Sequence, residues 1–246
     1  MARKNLRVEL LRYTWDPEEI IAMGAKLCYF SADISELKKG IKGADQTKFI
    51  QKLMEMGHFS PIEHASFTFG VEGVSRSLLA QITRHRLASF SVQSQRYVSE
   101  LSSKNADGVF DYIVPPRIAE LGEEYVKIFH QQMKQIQEWY DFWVEVLGNK
   151  GQESNEDARF VLPNAAETKF ILTMNARELL HFFSLRCCNR AQWEIQALAD
   201  EMLRLVRKVE PIIFAQGGPS CLSGYCREGE MSCGKMEEVR EKYSKI

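Results

Sequence analysis

No stretch of this chain approaches the roughly 18 consecutive apolar residues that a membrane-spanning helix needs, so a membrane protein is not expected. Charge of one sign is not in excess either. Thirty-two Lys and Arg stand against 33 Asp and Glu, a formal net charge of −1, and no overall basic field would draw in a nucleic-acid polymer. Any anion bound here must be small and locally held. Cysteine is sparse: Cys28, Cys187, Cys188, Cys221, Cys226 and Cys233 are the six in 246 residues. A chain of this length stabilises itself through its core and has no need of a disulfide framework, so reduced thiols are expected. Internal repeats and low-complexity linkers are absent. The opening "MARKNLRVELLRYTWDPEE" is interrupted by charge before the apolar run of a signal peptide develops. The expected location is the cytoplasm.

What is present reads as an ordinary globular composition, 45% hydrophobic and 26% charged, enough for one large domain or two small ones. "NLRVELLRYT" reads as an opening strand, and the Asp and Pro before "EEIIAMGAKLCY" start a helix near Asp16. "DQTKFIQKLMEMG" reads as a helix capped by Asp45 and stopped at Gly57. In "HASFTFGVEGV" the apolar Ala65, Phe67, Phe69 and Val71 alternate with His64, Ser66, Thr68 and Glu72, the period of a strand with one buried face. "SRSLLAQITRHR" returns to helical spacing. From Arg117 to Leu147, Ile118, Leu121, Tyr125, Phe129, Met133, Ile136, Tyr140 and Trp143 recur every three or four residues and predict one long helix. Farther on come a short helix ending near Pro163, a strand through "TKFILTM" and two more helices. The expected fold class is α+β: a single mixed domain, residues 1–215, with a small, mostly antiparallel sheet flanked by helices. A Gly- and Cys-rich tail, 216–246, follows it.

Chemistry concentrates in "TRHRLASFSVQSQRY", Thr83 to Tyr97. Gln81, Arg84 and His85 are spaced for one helical face, with Arg86 beyond it. Such a cationic group repels itself unless an anion sits among it, and the planar fork of arginine suits phosphate. "NARELLHFFSLR" places Arg177 and His181 four apart on a helix, behind Asn175 at its start, with Arg186 and Arg190 following among apolar residues. In "GHFSPIEH", His58, Glu63 and His64 raise a metal reading, but Pro61 breaks the register of a helical H-E-x-x-H. The C-x4-C-x6-C of the tail offers three thiolates yet lacks the paired C-x2-C of common zinc sites. No metal is expected.

"RHRLASFSVQS" fits RHR-x7-S, Arg84 to Ser94, and runs into "QRY". With "AKLCY", "GHFSPIEHASFTF", "ARFVLP", "NARELLHFFSLR" and "AQWEIQ" in the same order, it resembles the flavin-dependent thymidylate synthases over roughly Gly24 to Gln196. The resemblance implies conversion of dUMP to dTMP with 5,10-methylenetetrahydrofolate as carbon donor, FAD as cofactor and NADPH as reductant. It implies FAD contacts from Ser60, Arg84, His85, Arg86, Asn175, Arg177 and His181. It implies dUMP contacts from Gln81, Arg84, Ser94, Gln95, Arg96, Arg159 and Arg186, with Arg186 the catalytic candidate and Ser94 a hydrogen-bond donor rather than a nucleophile. It also implies a homotetramer whose sites are shared between subunits. Val92 departs from the family, in which many members carry an acidic residue contacting both ligands. Cys221 lies in "PSC", and the Pro-Cys-Gln context of the cysteine-dependent thymidylate synthases does not occur. Three other readings stay open on the residues alone: a non-catalytic nucleotide-binding regulator, a metal-dependent nucleotide phosphohydrolase built on His58, Glu63 and His64, and a structural helical protein.

Overall fold

A computed structural model describes residues 2–246. The fold is α+β. Four strands, β1 (Arg7–Tyr13), β2 (Ser66–Ser75), β3 (Ala88–Val92) and β4 (Glu167–Asn175), form one antiparallel sheet in the order β1-β2-β4-β3. Helices α1 (Pro17–Leu27), α2 (Ile34–Ile41), α3 (Thr47–Glu55) and α4 (Arg76–Ile82) lie in the first third of the chain. They are followed by α5 (Pro116–Glu120), α6 (Glu123–Val146), α7 (Gln152–Ala158), α8 (Ala176–Arg186), α9 (Trp193–Val209) and α10 (Met236–Ser244). Contacts divide the chain into two compact units. Of the described residues, unit 1 holds 2–7, 71–84 and 90–171; unit 2 holds 8–70, 85–89 and 172–246.

Strand β2 follows its alternation: Phe67, Phe69 and Val71 are buried while Ser66, Thr68 and Glu72 are half-exposed. In unit 2, Thr68 and Thr173 hydroxyls meet at 2.9 Å across β2 and β4, and Phe67 packs edge-on against Phe214 with ring centroids 5.2 Å apart. Such pairs add about 0.5–1.5 kcal/mol beyond area burial. In unit 1, Gly73 sits at φ +70°, and a Cβ there would stand 1.9 Å from the Asn5 carbonyl oxygen. Only glycine fits that approach.

Three local expectations change. The long helix is two: α5 ends before Gly122, whose φ of +117° breaks the run, and α6 starts at Glu123. Within that stripe Met133 and Tyr140 are buried, whereas Leu121, Tyr125 and Trp143 are exposed. The polar segment "ISELKKGI" forms α2, capped by the Asp33 carboxylate, which accepts the Glu36 N–H, and anchored by buried Leu37 and Ile41. At α3 the cap position belongs to Gln46, although the Asp45 carboxylate still accepts the Thr47 N–H at 2.9 Å.

The last residues are packed rather than loose. Helix α10 buries Val239 and Tyr243, and the Tyr243 hydroxyl donates to the Cys187 carbonyl at 2.7 Å. The Arg207 guanidinium donates to the carbonyls of Phe214, Ala215, Gly217 and Tyr243, at 3.1, 3.3, 2.9 and 2.7 Å. One side chain on α9 thus gathers the chain that follows it. All six cysteines are free thiols.

Arg207→Met keeps the stem and removes all four hydrogen bonds. Hydrogen bonds to a charged group contribute roughly 1.5–3 kcal/mol, so thermal unfolding should show a midpoint lowered by several degrees. Limited proteolysis should newly cut between residues 216 and 235. An unchanged midpoint and an uncut tail would contradict this role.

Candidate active site

In unit 2 the start of α8 is set by Asn175, whose side-chain oxygen accepts the Glu178 N–H at 2.9 Å and caps the helix. Glu178, Phe182 and Arg186 then recur every four residues along one side of the helix. The buried His85 lies along that side. Its Nδ1 is 3.3 Å from Glu178 Oε1, its ring packs edge-on to Phe182 at 5.0 Å, and its Nε2 receives the Arg186 Nε–H at 3.1 Å. A guanidinium nitrogen can only donate. His85 Nε2 is therefore the bare acceptor, and Nδ1 carries the proton that points at Glu178.

The electrostatics agree. Burial, then the neighbouring Arg186 and His181, pulls the His85 pKa down to about 4, so the ring is neutral at physiological pH and the Glu178 contact is a hydrogen bond rather than an ion pair. Burial also raises the Glu178 pKa, against a smaller lowering by His181. The triplet Arg84-His85-Arg86 points alternately: the arginines are exposed and the histidine between them is buried. This corrects the expected helical face. Helix α4 stops at Ile82, so Arg84 and His85 lie beyond it, and Gln81 and Arg84 share only a turn, Arg84 N–H to Gln81 carbonyl at 3.3 Å.

Unit 2 also has a cavity of about 820 Å³ whose wall includes Ser60, Arg177, His58 and several aromatic rings. Arg177 Nη1 is 2.5 Å from Glu63 Oε1, so the carboxylate of the metal reading is occupied by a cation. Among the described residues no three His, Cys, Asp or Glu side chains are placed to hold a metal ion together.

In unit 1, Arg96 and Arg159 are held at α7. The Ser94 hydroxyl accepts the Arg96 N–H at 3.2 Å. Arg96 Nε is 2.6 Å from Glu156 Oε2, and the Asn155 side-chain amide donates to the Arg96 carbonyl at 3.2 Å. Arg159 Nε donates to the Glu156 carbonyl at 3.1 Å. Gln95 is buried, and its Nε2 has no acceptor among the described residues. Arg76, on the first turn of α4, was not among the expected site residues. Its pKa is lowered by burial and by the charge of Arg159, which marks two guanidiniums near enough to repel. Helical spacing alone gave no signal for it; the partner lies 83 residues on in the chain.

The expected residues thus sort by unit. Ser60, His85, Arg86, Asn175, Arg177, His181 and Arg186 belong to unit 2; Gln81, Arg84, Ser94, Gln95, Arg96 and Arg159 belong to unit 1.

Comparison with known proteins decides the family. The model described as thymidylate synthase complementing protein matches residues 9–212. The chain is 50% identical over 241 residues to the flavin-dependent thymidylate synthase of Geobacter sulfurreducens, covering 98% of this chain and 99% of that one. The chain belongs to the flavin-dependent thymidylate synthases. The synthase of Clostridium tetani is 49% identical, with 97% of each chain covered, and that of Pyrococcus furiosus 40%, with 98% of each. Among solved structures, the Helicobacter pylori flavin-dependent thymidylate synthase ThyX complexed with FAD and dUMP superposes at a TM-score of 0.60 with 22% identity, over 86% of this chain and 99% of that one. The UMP/dUMP methylase PolB of Streptomyces cacaoi bound with 5-Br dUMP superposes at 0.69 with 24% identity, over 87% and 94%. Both share the fold. The resemblance carried by RHR-x7-S is borne out for the family, and the synthase reading is favoured over the regulator and hydrolase alternatives.

Asn175→Ala should lower the unfolding midpoint of the ligand-free protein through loss of about 1 kcal/mol of capping, whereas Asn175→Asp, which still accepts from the Glu178 N–H, should restore it. Equal midpoints for all three proteins would remove the cap.

Proposed function

We propose that the protein makes dTMP from dUMP, with 5,10-methylenetetrahydrofolate as the carbon donor, FAD as its cofactor and NADPH as reductant. The observation that carries the reading is the end-to-end 50% identity to a protein named for that activity, in a chain whose Arg186 is held by a buried neutral histidine. Within this reading, residues 1–215 are the synthase domain and 216–246 its tail. The working form is a cytoplasmic homotetramer with nucleotide pockets shared between subunits. Among the described residues no helix is long and apolar enough to cross a membrane.

The residues present fit both ligands chemically. For FAD, Ser60 and Arg177 line the cavity of about 820 Å³, a size suited to a large organic ligand. The exposed Arg86 and His181 of the same unit add donors for a pyrophosphate. For dUMP, Arg96 and Arg159 are held on Glu156, and the orphaned Gln95 Nε2 is a donor still in need of an acceptor.

When bound, FAD supplies the redox chemistry, with its reducing equivalents drawn from NADPH. The protein's own contribution is orientation and field. Arg186 spends its Nε on His85, which fixes the plane of the guanidinium. In that plane it stabilises negative charge on the uracil ring as C5 becomes electron-rich. His85 stays neutral and adds no competing charge. Glu178 holds the tautomer that leaves Nε2 able to accept. Arg96, Arg159, Ser94 and Gln81 bind and orient the nucleotide.

Anaerobic incubation of the flavin-loaded protein with dUMP, methylenetetrahydrofolate and NADPH should yield dTMP. Arg186→Ala should reduce that rate by about 100-fold or more with the flavin absorbance retained. No product from flavin-replete protein would sink the activity, and near-normal turnover by the variant would remove Arg186 from the site.

A further inference from the structure

The wall of the cavity in unit 2 carries two kinds of polar group. Ser60 and Arg177 are already proposed for the flavin. Lys26, on the last turn of α1, and Lys52, on the last turn of α3, line the same cavity together with the rings of Tyr29, Phe30, Phe49 and Phe59. Lys26 is half-buried, and its ammonium is held by neutral groups alone. It donates to Gln46 Oε1 at 2.9 Å and sits 4.8 Å from the centroid of the Phe49 ring. Gln46 is itself buried and tied to the Ala44 carbonyl at 3.1 Å, so the ammonium's position is set before anything binds. Neither Lys26 nor Lys52 has a carboxylate within ion-pair distance among the described residues. Ammonium groups on a cavity wall, one of them half-buried, with no carboxylate to balance them call for an anionic ligand.

The cavity therefore presents stacking surface beside two uncompensated cations. A flat heteroaromatic joined to carboxylates has that pattern, and a folate is such a molecule: a pterin and an aminobenzoyl ring followed by glutamate. We propose that Lys26 and Lys52 bind the glutamyl carboxylates of the folate carbon donor, and that this pair selects folates with several γ-linked glutamates over those with one. The inference rests on the proposed function for the identity of the carbon donor. Lys26 is the fixed anchor; Lys52, exposed on α3, reaches the outer carboxylates. Both are positioning residues and take no part in bond making.

The test uses the intact flavin-loaded protein and reads binding without turnover, by calorimetric titration with 5-formyltetrahydrofolate carrying one or three glutamates. The parent should bind the triglutamate about tenfold more tightly, since one charge-assisted hydrogen bond is of that order. Lys52→Met and Lys26→Met should each cut the preference to about twofold, and Lys52→Arg should retain most of it. Half-saturation by NADPH in flavin reduction should be the same in all. Lys52→Met alters an exposed side chain, so its effect is not one of misfolding. Equal affinity of the parent for the two folates would overturn the proposal. So would a preference untouched by either methionine variant, or variants that weaken NADPH instead, which would assign the lysines to its phosphates. Loss of the proposed function has a different signature: no dTMP is formed although the glutamate preference is measured.

Discussion

The hydrogen bond from Arg186 to His85 is the contact on which the rest of the site depends. It brings together residues 101 positions apart in the chain, and it works in only one protonation state. A protonated imidazole at Nε2 would set two cations against each other in a buried place. Burial and Arg186 both hold the His85 pKa down, to about 4, and Glu178 accepts a hydrogen bond from the ring's remaining N–H. Because the folded value lies below the ordinary 6.5, the stability linked to this group is fully present above about pH 6.5 and is lost as pH falls through the folded value.

The geometry behind that contact is a helix period. Glu178, Phe182 and Arg186 stand one above another on α8, so a single imidazole laid along the helix touches all three. The Asn175 cap fixes where α8 begins, and thereby the height of Glu178. In the same unit, Arg207 on α9 collects four carbonyls from the segment that follows. The Arg186 Nε–H and the Arg207 guanidinium both donate to neutral acceptors.

Much of this was legible in the sequence. The alternation of Phe67, Phe69 and Val71 marked β2, and "NAREL" marked the start of α8. The motif residues named the family. What escaped had physical reasons. Helix α2 buries only Leu37 and Ile41 over eight residues, too little apolar pattern to stand out. The helical recurrence from Arg117 to Leu147 runs straight across Gly122, whose positive φ divides the pattern into α5 and α6. Arg84 and His85 followed a helical spacing past the point where the backbone leaves the helix. The proximity of Arg76 to Arg159 and the order of the tail arise from tertiary contacts that no local pattern encodes.

The neutral state and tautomer of His85 are the most direct measure of the account. Nitrogen-15 NMR of the histidine rings, followed through acid titration with His85 assigned by its loss in His85→Gln, reads both. The account predicts a neutral ring protonated at Nδ1 from pH 8 to pH 5, with protonation only near pH 4. An imidazolium at pH 7, or a proton resident on Nε2, would contradict it.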